Sequence, residues 1–292
     1  MKSFMQLSFD LGKLEAGVAE EACFGCGAIS VTLVDAQDDP VLEPLPGEVR
    51  LWPTTRVQAL FAGDRDLRPL IESLSTALQR IAAQFTAEPI ADCAWERQWL
   101  RDFHATRFGR RLWICPHHET VAQSDAIVVR MDPGMAFGTG THPTTALCLE
   151  WLDRGVAAGE RIIDYGCGSG ILAIAAAKLG ATAAYCFDID PQALLATADN
   201  AKANDVQSRV RICAAADTLP RGVDLLVANI LCAPLCALAT VFHALVRPGG
   251  RIVLSGLLDE QIPEVTRAYG ACFDIHPFEQ REGWVGLSGT RQ

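Results

Sequence analysis

Residues 164–170, with the sequence Asp-Tyr-Gly-Cys-Gly-Ser-Gly, constrain the possible folds of this chain more than any other segment. The preceding residues 161–163 favour a β-strand, and the alanine-rich residues 171–180 that follow favour a helix. A glycine loop in this position exposes backbone N–H groups at the positive end of the helix dipole, and a ligand can approach the backbone closely. The segment therefore predicts a nucleotide-type site at the carboxyl end of a strand in a βαβ unit.

The spacing of the glycines distinguishes between ligand classes. The dinucleotide fingerprint is Gly-x-Gly-x-x-Gly, whereas Gly166, Gly168 and Gly170 form Gly-x-Gly-x-Gly, led by the acidic Asp164. This pattern resembles the first motif of methyltransferases that use S-adenosyl-L-methionine, a ligand that carries a sulfonium and an amino-acid tail but no phosphate. An incidental glycine-rich turn is the structural alternative.

A second acidic site follows at the end of the next predicted strand. Residues 184–187 favour a short buried strand, and Asp188-Ile189-Asp190-Pro191 comes directly after it. A carboxylate about 20 residues after the glycines can accept hydrogen bonds from both hydroxyls of a ribose. Asp188 is the favoured candidate. Asp190 is the competitor, although Pro191 in the first turn of a helix makes Asp190 a candidate N-cap instead.

Composition limits the class of protein. The chain has 292 residues, of which 50% are hydrophobic, and a net charge of −10, which argues against a protein that coats nucleic acid. The amino terminus lacks the apolar region of a signal peptide. The uncharged residues 225–242 are interrupted by Asn229 and Pro234 and favour a buried strand followed by a helix. We therefore expect a soluble, cytoplasmic protein with no membrane partner.

Residues 1–92 differ in pattern from the rest of the chain. They predict the order βαββαβ, with strands at 5–11, 28–35, 56–62 and 89–94 and helices at 14–24 and 66–83. This order is that of the small α+β ferredoxin-like arrangement, which commonly serves recognition. The segment holds 7 basic and 14 acidic residues. Its net charge of −7 suits a basic macromolecular partner, and a merely solvated acidic surface is an equally good explanation.

Residues 93–116 form a predicted linker, and residues 117–292 a doubly wound, Rossmann-like α/β domain. The linker is rich in arginine and tryptophan. These side chains could bind nucleic acid by stacking, or the tryptophans could pack a connecting helix and strand between the domains while the arginines reach solvent. We favour the second interpretation. In the α/β domain, further strands are predicted at 210–214, 223–228, 251–256 and 283–287, helices at 192–202, 233–246 and 260–269, and a turn at 247–250.

No metal site is predicted. The chain has eleven cysteines, an odd number, and they are scattered along the sequence. Among them, we single out Cys23 and Cys26 as the pair whose spacing is typical of a metal or redox site. No second pair completes a zinc site around them, and His117 and His118 lack partners at ligand spacing. The cysteines are therefore expected to pack as small apolar side chains.

Two further motifs are far more specific than the glycine loop. Residues 131–145 have the sequence Met-Asp-Pro-Gly-Met-Ala-Phe-Gly-Thr-Gly-Thr-His-Pro-Thr-Thr, and residues 229–235 have Asn-Ile-Leu-Cys-Ala-Pro-Leu. Together with residues 95–116, they closely resemble the PrmA family, the methyltransferases that act on ribosomal protein L11 of the large subunit. The resemblance covers about residues 95–292 and is weaker over residues 1–92.

The resemblance implies a function and a set of site residues. It implies transfer of methyl groups from S-adenosyl-L-methionine to lysine side chains, and also to the N-terminal α-amino group, of the basic protein L11. Cofactor contacts are implied at Thr145, Gly166, Asp188 and Asn229, to which we add Asp164 and Gly168 of the glycine loop. Asn229 is the predicted catalytic residue, because it ends a strand beside the glycine loop.

Two other classes of function compete with this one. The asparagine motif and the arginine-rich linker also fit a nucleic-acid N-methyltransferase, against which the acidic charge counts. A cofactor-binding regulatory module without turnover is the second alternative. The intact glycine loop, Asp188 and Asn229 count against it.

Overall fold

The computed structural model describes residues 3–37, 51–91, 103–132, 140 and 142–292. The chain divides into two compact units, Met1–Gln98 and Trp99–Gln292. The predicted loop at residues 38–46 and the start of the predicted linker, including Trp95 and Trp99, lie outside the described residues. The predicted bounds at residues 92 and 116 stay a prediction.

The first unit is an antiparallel sheet with helices against one face. Its elements in chain order are β1 (Ser3–Asp10), α1 (Ala16–Gly25), β2 (Ser30–Asp35), β3 (Thr55–Ala62), α2 (Leu67–Leu78) and β4 (Thr86–Ala91). The strand order is β2-β3-β1-β4, and each neighbouring pair is antiparallel. Alternate residues of β1 and β3, such as Leu7 and Val57, are buried against Ala19 and Leu74 of the helices. This period-two burial follows from the alternation of side chains along a strand.

The second helix is shorter than the sequence predicts. The prediction extended it to residue 83, but α2 ends at Leu78, and Ile81 is 68% exposed. Gln79 takes a left-handed conformation, with φ of 52°, and turns the chain. Arg80 then donates a hydrogen bond to the Leu11 carbonyl at 2.8 Å. The helix thus ends where a tertiary contact begins, and the spacing of apolar residues in the sequence carries no information about that contact.

The second unit contains a seven-stranded sheet with helices on both faces. Its helices are α3 (Pro143–Gly155), α4 (Ile171–Leu179), α5 (Pro191–Ala203), α6 (Cys232–Ala237), α7 (Ala239–Leu245) and α8 (Ile262–Tyr269). Its strands are β5 (Thr106–Phe108), β6 (Leu112–Cys115), β7 (Ile127–Arg130), β8 (Arg161–Tyr165), β9 (Ala183–Phe187), β10 (Val210–Ile212), β11 (Val223–Asn229), β12 (Val246–Leu258), β13 (Phe273–Arg281) and β14 (Trp284–Arg291).

The order of the large sheet creates a crevice for a ligand. It runs β10-β9-β8-β11-β12-β14-β13, with parallel pairing from β10 to β12, and β5 to β7 form a separate small sheet. Beyond β8 the chain moves outward to β10 and then returns to β11 on the other side, so the order reverses between β8 and β11. Ligands of open α/β sheets bind at such a switch point. The predicted doubly wound α/β fold is confirmed.

Several elements of the second unit differ from the prediction. The single helix predicted at 233–246 is two shorter helices, α6 and α7, which meet at Leu238. The turn predicted at 247–250 is an excursion within β12, where Val246 pairs with Val223 and the next pair is Leu225 with Arg251. Strand β13 was not predicted, because its position at the sheet edge leaves most of its side chains outside the core.

Residues 225–242 form β11, α6 and α7, as the sequence predicts for a buried strand followed by helical structure. Within the described ranges, every helix falls short of the length and apolar character that crossing a lipid bilayer requires.

Candidate cofactor and catalytic site

A cavity of about 790 Å³ lies at the carboxyl ends of β8, β9 and β11, at the switch point of the sheet. It brings together five predicted site residues that are far apart in the chain: Thr145, Gly166, Gly168, Asp188 and Asn229. Its lining also includes apolar side chains of the strand ends and of α6, among them Phe187, Ile189, Ile230, Leu231 and Pro234.

The glycine loop requires glycine for two physical reasons. Gly166, Gly168 and Gly170 have φ of 78°, 53° and 78°, a left-handed region that other residues rarely adopt. Space is also restricted, since a Cβ at Gly166 would lie 2.3 Å from Cγ2 of Ile230. At Gly170 it would lie 2.6 Å from Cγ2 of Thr197. At Gly166 and Gly170, any side chain would therefore have to displace these neighbours.

The two candidate ribose acids have different roles in the structure. The Asp188 carboxylate accepts hydrogen bonds from the backbone N–H groups of Gly168, at 2.9 Å, and Asp190, at 3.0 Å, and it lines the cavity. Asp190 accepts a hydrogen bond from the Gln192 N–H at 2.9 Å and caps α5. The interpretation of Asp190 as an N-cap is confirmed. Contact between Asp188 and a ribose stays a prediction, with the carboxylate held in place for it.

Asn229 and Thr145 are in contact in the lining of the cavity. Asn229 is the last residue of β11, and its side-chain Nδ2 donates a hydrogen bond to Oγ1 of Thr145 at 3.2 Å. Thr145 lies in the first turn of α3 and is 1% exposed. Because this contact occupies the amide nitrogen, it orients the Asn229 side chain within the cavity wall.

Asp164 is placed differently from the other predicted cofactor contacts. It is 1% exposed, and it is absent from the lining of the cavity. Its Oδ2 accepts a hydrogen bond from the Ala173 N–H at 3.0 Å, and its Oδ1 has no donor among the described residues. The pKa of Asp164 is raised to about 7, mainly by burial; the hydrogen bond from Ala173 opposes this shift, and the charge of Asp188 adds to it. Asp164 thus supports the start of α4 from beneath the glycine loop.

His142 and Trp284 also line the cavity, although neither was selected from the sequence as a site residue. His142 is the N-cap of α3, and its ring lies edge-on to that of Trp284, with centroids 5.0 Å apart. Burial lowers the pKa of His142, and the charge of Glu282 opposes the change. No motif marks Trp284, since only the pairing of β12 with β14 brings it to the site. Most of the motif at 131–145, including Phe137, lies outside the described residues.

Comparison with known proteins identifies the family. The family model described as "Ribosomal protein L11 methyltransferase (PrmA)" matches residues 3–292. The chain belongs to the PrmA family. The resemblance drawn from the sequence motifs is thereby confirmed, and membership in PrmA makes the chain a methyltransferase.

Individual PrmA relatives match over nearly their whole length. The ribosomal protein L11 methyltransferase of Pseudomonas aeruginosa (strain LESB58) is 48% identical over 290 residues, 99% of each chain. That of Pasteurella multocida (strain Pm70) is 48% identical over 268 residues, 91% of this chain and 92% of its own. The crystal structure of ribosomal protein L11 methylase from Lactobacillus delbrueckii subsp. bulgaricus matches with a TM-score of 0.60 and 31% identity. It covers 65% of this chain and 100% of its own.

Proposed function

We propose that this PrmA chain transfers methyl groups from S-adenosyl-L-methionine to lysine side chains and the N-terminal α-amino group of ribosomal protein L11. The observation that carries the proposal is the convergence of Thr145, Gly166, Asp188 and Asn229 on one cavity at the switch point of the sheet. The names and the near full-length match of its relatives support the same substrate.

The residues of the cavity suit this cofactor. Asp188 holds two backbone donors and keeps further lone pairs for the vicinal hydroxyls of a ribose. Gly166 and Gly168 present backbone to the cavity without side chains, which suits the amino-acid tail. Ile189, 90% exposed at the cavity edge, offers an apolar surface for the adenine ring. When bound, the cofactor supplies a methyl group that its sulfonium has already activated.

Asn229 is the residue best placed to orient the target amine. Its Nδ2 donates a hydrogen bond to Thr145, which fixes the orientation of the amide, and its Oδ1 can accept a hydrogen bond from an amine N–H. This contact would aim the nitrogen lone pair into the cavity. Such orientation of two reactants can lower a barrier by up to about 7–11 kcal/mol.

The amine must also be neutral to react. At pH 7, removing the proton from a lysine of ordinary pKa costs about 4.6 kcal/mol. The apolar side chains of Phe187 and Ile230 disfavour a charged ammonium group in the cavity, so they lower the pKa of a bound lysine and offset part of this free energy. His142 is held at the start of α3, where its Nδ1 faces Thr144, so we assign the proton to solvent rather than to this ring.

Recognition of L11 is assigned to residues 1–92 in a ferredoxin-like unit. Their net charge of −7 suits a basic ribosomal protein. This assignment requires no contact with nucleic acid or membrane. A cytoplasmic location follows from the proposed substrate.

The proposal is tested with labelled cofactor and three samples: purified L11, ribosomal RNA and no acceptor. We expect label in L11, at lysine side chains and the N-terminal amine, as located by mass spectrometry of its peptides. Label in RNA alone would instead establish a nucleic-acid methyltransferase. Tight cofactor binding without methyl transfer to either acceptor would instead indicate a non-catalytic, cofactor-binding module.

A further inference from the structure

Three side chains with metal-binding atoms converge beside the cofactor cavity. Cys232 and Cys236 lie on α6, and Glu264 lies on the neighbouring α8. The two sulfur atoms and one carboxylate oxygen all lie within 4.8 Å of one another. A separation of four residues places both cysteines on the same face of their helix, where a single ion can reach both.

The distances are close to those of a tetrahedral metal site. Zn–S bonds of about 2.3 Å in tetrahedral geometry place two sulfur ligands about 3.8 Å apart. The two sulfur atoms therefore need to approach each other by about 1 Å or less, and each sulfur–oxygen pair by about 1.3 Å or less, starting from separations of at most 4.8 Å. Glu264 is exposed and has a flexible side chain, so its carboxylate can make the sulfur–oxygen part of this adjustment.

The electrostatics of the cluster favour a cation. In the described part of the chain, no arginine or lysine forms an ion pair with Glu264. The Glu264 carboxylate therefore places a negative charge beside the two sulfur atoms, and a bound divalent ion would neutralise it.

We propose that Cys232, Cys236 and Glu264 bind one thiophilic divalent cation of the zinc class, with solvent as the fourth ligand. Binding forms two metal–sulfur bonds and one metal–oxygen bond, and it releases the two thiol protons to solvent. No oxidation or reduction accompanies the step. Thiolates select zinc over magnesium and calcium, which prefer oxygen ligands.

The location of the site connects the metal to the methyltransferase fold. Binding ties α6 to α8, two elements that are distant in sequence. Leu231 and Pro234, beside and within α6, line the cofactor cavity. The ion would therefore stabilise the helix that forms one wall of that cavity. The proposal does not depend on the identity of the methylated substrate.

The test uses the full chain, reduced and freed of metal with a chelator. Titration with Zn²⁺, followed by calorimetry, and with Cd²⁺, followed by the ultraviolet absorption of cadmium–thiolate bonds, should give one ion per chain. We expect Cys236→Ser and Glu264→Gln each to weaken Zn²⁺ binding at least tenfold. Zn²⁺ should raise the melting temperature of the wild-type protein and not that of Cys236→Ser.

Two matched variants control for other thiols. Cys272→Ser removes a half-buried thiol outside the cluster, and Cys26→Ser breaks the Cys23–Cys26 pair; both should bind Zn²⁺ like the wild type. Absence of stoichiometric Zn²⁺ binding would overturn the proposal. So would binding that survives both Cys236→Ser and Glu264→Gln, or that is lost in Cys26→Ser. Glu264 is exposed, so its variant tests the site without disturbing the core.

Discussion

Individual residues of the cavity are held by contacts that can be removed one at a time. Asp188 and Asp190 are two residues apart and both accept backbone hydrogen bonds, but only Asp188 lines the cavity. Asn229 and Asp164 lie at the carboxyl ends of the adjacent parallel strands β11 and β8, and Asn229 lines the cavity whereas Asp164 is buried beneath it. These contrasts provide matched pairs for experiment.

Replacing Asp188 should weaken cofactor binding. Asp188→Ala removes the two charge-assisted hydrogen bonds that we propose to the ribose, each worth about 1.5–3 kcal/mol, so we expect the affinity for S-adenosylhomocysteine to fall by about 100-fold or more. Calorimetric titration measures this. Asp190→Ala is the control, which should cost about 1 kcal/mol of stability through loss of the N-cap and leave the affinity nearly unchanged. If Asp190→Ala proved the more damaging to affinity, the assignment of the ribose acid would be wrong.

Replacing Asn229 should reduce the rate more than the affinity. Asn229→Ala removes the acceptor that we propose for the target amine, and loss of one such positioned group typically costs about 100-fold to 1,000-fold in turnover. Thr145→Val is the matched variant, since it removes the partner of Nδ2 and keeps the amide oxygen. We expect a smaller loss of rate there. Single-turnover kinetics, compared with cofactor titrations, separate the two effects; an equal fall in rate and affinity would make Asn229 a cofactor ligand only.

The buried Asp164 should make stability depend on pH. Its pKa is raised from 3.8 to about 7, so the native state retains a proton that the unfolded chain releases between these values. The stabilisation is therefore complete below about pH 3.8 and is lost as the pH rises through about 7. Compared with Asp164→Asn, the wild-type protein should lose melting temperature steadily from pH 5 to about pH 7.5, without cofactor. A constant difference in melting temperature over this range would contradict the shift.

At the scale of elements, the cavity wall depends on contact between β12 and the segment that follows β11. Gly256 in β12 has φ of 87°, and a Cβ there would lie 2.4 Å from the Ile230 carbonyl oxygen. Ile230 in turn lines the cavity and packs over Gly166. A side chain at Gly256 must therefore displace the wall itself.

Gly256→Ala should accordingly reduce both stability and cofactor affinity. Gly222→Ala is the matched control, because Gly222 also has a positive φ, 73°, but has no atom within 4 Å of an added Cβ. We expect about 1–3 kcal/mol of backbone strain in both variants and a several-fold loss of affinity in Gly256→Ala alone. Thermal unfolding and cofactor titration of the two proteins test this. Unchanged affinity in Gly256→Ala would show that the wall adjusts without consequence.

At the scale of the whole molecule, each of the two units has its own hydrophobic core. Among the described residues, one core cluster is built from positions 7–85, and two others are built from positions 103–287. The residues that line the cofactor cavity all belong to the second unit. Binding of cofactor and recognition of a protein substrate are therefore separable in principle.

Deletion of residues 1–92 should leave a folded chain that binds cofactor and barely methylates L11. The reason is that the second unit retains its own core and the complete cavity, whereas the deleted segment supplies the acidic surface assigned to docking. Full-length and truncated proteins are compared on intact L11 and on a short lysine peptide. We expect similar slow rates on the peptide and a large difference on L11. Equal activity on intact L11 would remove the docking role.

The local sequence pattern was sufficient to predict much of the structure of this protein. The glycine loop, its flanking strand and helix, the N-cap role of Asp190 and the strand that ends at Asn229 all follow from residues within one short window. Backbone conformation there is dictated by glycine, proline and capping side chains, whose preferences act over a few residues. The specific motifs were also sufficient to identify the family.

Other features were decided only by tertiary structure. The end of α2 at Leu78, the place of Trp284 in the cavity wall and the burial of Asp164 below it depend on contacts with distant elements. The same holds for the meeting of Cys236 with Glu264, which belong to different helices. Sequence periodicity records which face of an element is apolar, and it holds no information about which element that face meets. Those pairings are set by the packing of the whole sheet and its helices, where many small contacts are satisfied together.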